Sequence, residues 1–154
     1  MKHDNRYIKI EWPEIKTKIR ARVADDKNPA LCNFFWENLP LHVLQSHAMV
    51  SGDTMLAFHP YTNELPAEYA EDYLDERFWG KVPAAIGCIG FKTSGYQAIV
   101  IQWGPERTEY EKRIPVAYVE EQDLEKLVFV GKKVFEGICK NETYTILITR
   151  DESF

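Results

Sequence analysis

The stretch "YIKIEWPEIKTKIRARV", residues 7–23, limits the fold most sharply, because its apolar side chains recur at every second position. Ile8, Ile10 and Trp12, then Ile15, Ile19 and Val23 with Thr17 between them, oppose a face of Lys, Glu and Arg. A period of two sends alternate side chains to opposite faces of a strand, so one face is buried and the other wet. Pro13 cannot donate to a strand ladder, so "WPE" marks a tight joint and the stretch predicts a β-hairpin.

The period then changes. In "NPALCNFFWENLP", Asn28 stands at an N-cap position, Pro29 suits the first helical position, and Leu31, Phe34, Phe35 and Leu39 form an apolar stripe that ends at Pro40. Residues 41–59 return to extended character on both sides of Ser51-Gly52. "AAIGCIGFKTSGYQAIVIQWGP" reads as strand, Ser94-Gly95 turn and strand, and "IPVAYVEE" as a further strand. In "EQDLEKLVFVGKKVFEGICK", Leu124, Leu127, Val128, Val130, Val134 and Phe135 recur at helical spacing, interrupted by Gly131, and "TYTILITR" closes as a strand. Between these, "HPYTNELP" is loop-like and "AEYAEDYLDERFW" predicts an acidic helix or lid.

Two helices are too few to cover both faces of a large parallel sheet, whereas a closed antiparallel barrel removes the edges that about eight strands would expose. The fold class is therefore mainly β, a closed barrel capped by two helices, in a single domain over residues 1–154. With 45% apolar and 28% charged residues the composition is that of a globular domain, and no apolar run approaches the ~20 residues of a membrane span. The first ten residues lack a signal core, so a cytoplasmic protein without membrane attachment is expected. A net charge of −5 with no basic stripe argues against nucleic acid as a partner. Cys32, Cys88 and Cys139 have no metal-binding or disulfide spacing and read as reduced, buried apolar groups.

The element order, together with "IKIEWPE", "NPALCNFFWENLP", "SHAMVSGDTM", "GCIGFKTSGYQAIVIQWGP" and "VGKKVFEG", resembles the cyclophilin-like domain family of bacterial proteins that includes cucumopine synthase. The likeness runs over almost the whole chain. It implies an eight-stranded cyclophilin-like barrel with two capping helices. Prolyl isomerisation is not implied, because cyclophilins carry Phe-His-Arg and a Gln-Gly-Gly-Asp segment that this chain lacks. What the resemblance implies instead is a Pictet-Spengler type condensation of an aromatic amino acid or amine, such as histidine, with an α-keto acid such as 2-oxoglutarate. No cofactor is implied. Small molecules are the expected partners, and a homo-oligomer is compatible with this reading.

Such a reaction moves a proton at every step, and histidine titrates nearest neutral pH. His47 is accordingly the first catalytic candidate and Asp53 the second, as its partner, an anchor for a substrate ammonium, or a base. Each has a plainer reading. His47 would also serve as a hydrogen-bonded strand histidine, and Asp53 as an acceptor within a turn. Ser51, Gly52 and Thr54 offer hydroxyls and a close backbone approach to a carboxylate, while Met49, Met55 and Trp103 would wall a ring-binding pocket. Phe58 reads as core. Lys92 is a candidate for a substrate carboxylate, with Arg107 and Arg113 near the same hairpin. Glu37, His42 and His59 read as surface or lid groups. A non-catalytic protein binding a small carboxylated metabolite in the same barrel is the alternative. If alternation runs unbroken through Ser51-Gly52, His47 and Asp53 share a face; a bulge there would separate them.

Overall fold

The computed structural model describes residues 5–49, 51–60, 86–92, 98–106 and 113–152. The acidic stretch 64–76, the Ser94-Gly95 turn and Arg107 lie outside these. The opening hairpin forms from β1 (Tyr7–Trp12) and β2 (Thr17–Val23), paired antiparallel with Ile10 opposite Ile19. Its joint is a 3₁₀ turn, Pro13–Ile15, so Ile15 belongs to the turn and not to the second strand. Proline pre-sets the turn's first φ, and Lys16 at φ 49° completes the reversal.

After α1 (Pro29–Glu37) come β3 (Leu41–His47), β4 (Thr54–Phe58), β5 (Cys88–Lys92), β6 (Ala98–Gln102) and β7 (Arg113–Val119), then α2 (Leu124–Cys139) and β8 (Tyr144–Asp151). The strands close into a barrel in the order β1-β2-β7-β5-β6-β4-β3-β8. Every pairing is antiparallel, so the mainly β closed barrel expected from the alternation is the fold observed, with two α-helices among the described residues. Closure explains how a β-rich chain avoids an open edge.

Inward positions follow the predicted parity: Ile8, Ile10, Trp12, Ile19, Met55, Ile89, Phe91, Ile99 and Ile101 are all at most 2% exposed and form one core. The interior also holds a polar pair, the Trp12 indole N–H donating to Gln45 Oε1 at 2.8 Å. A second, smaller apolar cluster of Ala48, Leu56, Ala98 and Val100 lies on the outer face of β4 and β6. α1 buries Leu31, Cys32 and Phe35, the last meeting Phe91 edge-on at 5.9 Å between ring centres. Asn28 stands before Pro29, yet its side chain makes no cap bond; it is buried and donates to the Pro115 carbonyl on β7, tying the helix start to the sheet. α2 buries Leu127, Val130, Gly131 and Val134 against the barrel.

Three expectations change. Phe58, read as core, is 46% exposed because it ends β4 on the outward side. His59, read as a surface group, is buried against the Phe91 ring. Cys139 ends α2 facing solvent, unlike the buried Cys32 and Cys88, and burial pushes the Cys32 thiol up to about 12. No helix among the described residues is long and apolar enough to cross a membrane.

Candidate active site

The segment joining β3 to β4 neither runs straight on nor bulges: it reverses. His47 pairs with Met55, and the Ala48 N–H donates to the Thr54 carbonyl at 2.9 Å, closing a loop over residues 48–53. Gly52 takes φ 84°, a left-handed conformation glycine adopts without strain, and its carbonyl accepts from the Thr54 N–H. The loop then lies along the segment after β6. The Asp53 N–H donates to the Glu106 carbonyl at 2.8 Å, and the Trp103 N–H to the Asp53 carbonyl at 3.1 Å.

This reversal places His47 and Asp53 on one cavity of about 440 Å³, lined by His47, Ala48, Met49, Gly52, Asp53, Trp103 and Phe135. It sits at one mouth of the barrel. His47 and Trp103 continue the inward parity of β3 and β6 just where the strands end, and α2 supplies Phe135. Gly131 is the reason α2 can come so close, because a Cβ there would overlap the Trp103 ring. One helical turn on, Phe135 stands 5.0 Å from the His47 ring centre at 62°.

Both ring nitrogens of His47 are engaged. Nδ1 lies 2.7 Å from the Ala48 carbonyl, which only accepts, so Nδ1 carries the proton; Nε2 then accepts from the Trp103 indole N–H at 2.9 Å. Burial pushes the His47 pKa below its ordinary value, against opposing pulls from the Ala48 carbonyl and the Asp53 charge. Indole can only donate. A proton on Nε2 would face the Trp103 N–H, so the geometry holds His47 neutral in one tautomer.

Asp53 is held differently. Its Oδ2 accepts from the Glu106 N–H at 3.0 Å, while Oδ1 has no hydrogen-bond partner among the described residues. Gly104 presses against this carboxylate so closely that a Cβ there would overlap Oδ2. The cavity therefore combines one carboxylate oxygen open to a ligand, two aromatic walls and a thioether, with Met49 at its rim 70% exposed.

The other sequence candidates lie elsewhere. Met55 is sealed in the barrel core, and Thr54 points to the opposite side of the sheet, where it meets Gln102 and Arg113. Lys92 ends β5 opposite Arg113 and does not line the cavity. Ser51 is in the reversal, half-buried. Phe135 and Ala48 line the cavity without having been singled out; Gly131 and Phe135, four apart on a helix, were the available signal for the former. The described residues contain no cluster of three His, Cys, Asp or Glu able to hold a metal ion.

The described residues form a closed antiparallel barrel with two helices and a small-molecule-sized cavity at one mouth, the architecture that the resemblance to the cyclophilin-like family leads one to expect. No family model and no curated protein matches the chain. Among solved structures it is similar to McbB in complex with tryptophan, with a TM-score of 0.77 and 23% identity over 96% of this chain and 45% of that one. The chain thus spans under half the length of that relative, and at this identity the two share a fold.

Proposed function

We propose that this protein is a cofactor-independent enzyme that condenses an aromatic amino acid or amine with an α-keto acid by a Pictet-Spengler type cyclisation at the barrel mouth. One observation carries the proposal: a carboxylate with an open oxygen faces aromatic walls across a cavity of about 440 Å³, a volume typical of small-molecule sites. Two likenesses support it. The sequence motifs resemble the family that includes cucumopine synthase, and the fold is similar to that of McbB, a protein whose structure contains tryptophan.

In this reading the substrate ring lies against Trp103, Phe135 and Met49, and its ammonium meets Asp53 Oδ1. Asp53 takes a proton from the ammonium, freeing the amine to add to the keto carbon. The hydroxyl of the resulting adduct takes that proton back from Asp53 and leaves as water, giving an iminium. A carbon of the aromatic ring attacks the iminium carbon, and Asp53, ionised again, takes that ring carbon's proton to restore aromaticity. Amine and keto acid thereby yield one product and one water. Asp53 is the proton acceptor, and the sites beside it need no redox partner for this balance. His47 takes a changed role. Held neutral between Ala48 and Trp103, it fixes the indole wall and leaves the proton traffic to Asp53. Histidine and 2-oxoglutarate are the first substrate pair to try, with tryptophan as the second amine.

Incubation with these pairs, followed by mass spectrometry, tests the reading. The expected product has the mass of the two substrates less one water and does not change on borohydride treatment, which would reduce an uncyclised imine. No such product across a panel of aromatic amines and keto acids sinks the enzyme reading. Ligand-dependent thermal stabilisation without turnover would then favour the metabolite-binding alternative.

A further inference from the structure

We propose that Gln102 is a positioning residue for the Asp53 carboxylate, held in register by Arg113 and Thr54 from the far side of the sheet. The inference rests on Asp53 being the working carboxylate. Gln102 is fully buried at the end of β6, and its amide is saturated. Oε1 accepts from Arg113 Nη1 at 2.9 Å and from the Thr54 hydroxyl at 3.2 Å. Nε2 donates to the Gly104 carbonyl at 2.7 Å and the Glu106 carbonyl at 3.1 Å. The Thr54 hydroxyl in turn accepts from Arg113 Nη2 at 3.1 Å.

Chemistry dictates which way this amide points. Guanidinium offers only donors, and backbone carbonyls only accept, so Oε1 must face Arg113 and Nε2 must face the loop. Gln102 therefore clamps two carbonyls of residues 104–106 to the end of the strand. That same loop presents the Glu106 N–H to Asp53 Oδ2, while the Glu106 carbonyl held by Gln102 also accepts the Asp53 N–H. With the Glu106 N–H engaging Oδ2, the carboxylate is turned so that Oδ1 remains for a ligand. Arg113 reaches Gln102 from β7 by crossing β5 beside Gly90, where a Cβ would press on the Ile114 carbonyl and the Arg113 Cβ. A run of hydrogen bonds thus links a guanidinium on the outer face to the carboxylate at the mouth.

Gln102→Glu separates this role from packing. The substituted side chain keeps both acceptor contacts, with a gain in charge attraction to Arg113, but can no longer donate to the Gly104 and Glu106 carbonyls. Amide hydrogen exchange in Gln102→Glu is expected to quicken at least tenfold at Asp53, Trp103 and Glu106, with Ile8 and Ile10 in β1 unchanged. In the condensation assay kcat should fall about tenfold to a hundredfold, the effect of a misaimed group, with the KM for the amine changing far less. Unchanged exchange at those three amides, or acceleration spread equally to β1, overturns the proposal. So does a loss confined to KM. Gln102→Met, neutral and of similar length, should reproduce the exchange pattern. In the wild-type protein, couplings across the hydrogen bonds from Gln102 Nε2 to the carbonyl carbons of Gly104 and Glu106 must be present. Their absence overturns the proposal even if neither variant folds. If the wild-type protein forms no condensation product, the reaction assigned above falls, while exchange and couplings still decide the clamp.

Discussion

At the scale of single residues, His47 and Asp53 differ in what their partners leave them free to do. The Trp103 indole donates to a lone pair on His47 Nε2 that protonation would consume. Trp103→Phe removes that donor, so the His47 midpoint should rise toward its ordinary value, read from its imidazole carbon shifts across a pH series. A midpoint that stays put or falls would show that the indole bond does not hold the ring neutral. For Asp53 the decisive change is Asp53→Asn, which keeps an acceptor for the Glu106 N–H but cannot take a proton. The rate of condensation should drop at least about a hundredfold, the lower end of what a placed general base supplies. His47 and Asp53 were both visible as residues in the chain. Their roles were not, because a side chain's proton affinity depends on what lies within a few ångströms of it, and Trp103 is 56 positions from His47.

At the scale of elements, the glycine that interrupts α2 carries the argument. Helix propensity favours Ala over Gly by about 1 kcal/mol, so on an isolated helix Gly131→Ala would stabilise. Here the added methyl meets the Trp103 ring, and forced overpacking of a core costs ~1–3 kcal/mol. The expected result is a lower melting temperature together with a changed tryptophan emission, since the indole must leave its notch. A higher melting temperature would mean that α2 shifts freely and that the notch does not set its distance. Strands were legible from period two and α2 from its apolar stripe, but the turns were less so. Pro13 and Gly52 announced breaks. Whether the chain would bulge or reverse after His47 depended on β4 finding β3 and β6, pairings that local pattern does not encode.

For the whole molecule, two buried histidines tie stability to pH. Burial lowers the pKa of His47 and takes that of His59 from 6.5 to about 4. The unfolded chain therefore binds protons that the folded one refuses, so stability rises with pH across that window and is lost as pH falls. Their contribution is fully present above about 6.5 and drains away as pH drops toward 4. Denaturant midpoints measured from pH 7 to 4 should fall steadily, and His59→Leu should flatten part of that slope. Equal slopes in the two proteins would show that His59 takes up its proton without cost in the fold.

The amino-acid sequence by itself determined the period of each element, the two helical stretches among strands, and hence a closed barrel with an inside and an outside face. It also brought His47 and Asp53 within six positions of one another. His47 and Met55 share a side of the sheet because they pair directly across the reversal, and a one-residue shift in that pairing would have put them on opposite faces. Only the tertiary structure decided the rest: that the joint reverses, that Trp103 and Phe135 line the cavity, and that Gln102, itself bonded by Arg113, reaches the loop beside Asp53. Those contacts join β4, β6, β7 and α2 across long stretches of chain. Periodicity reports which face a residue takes, but not which distant residue it will meet.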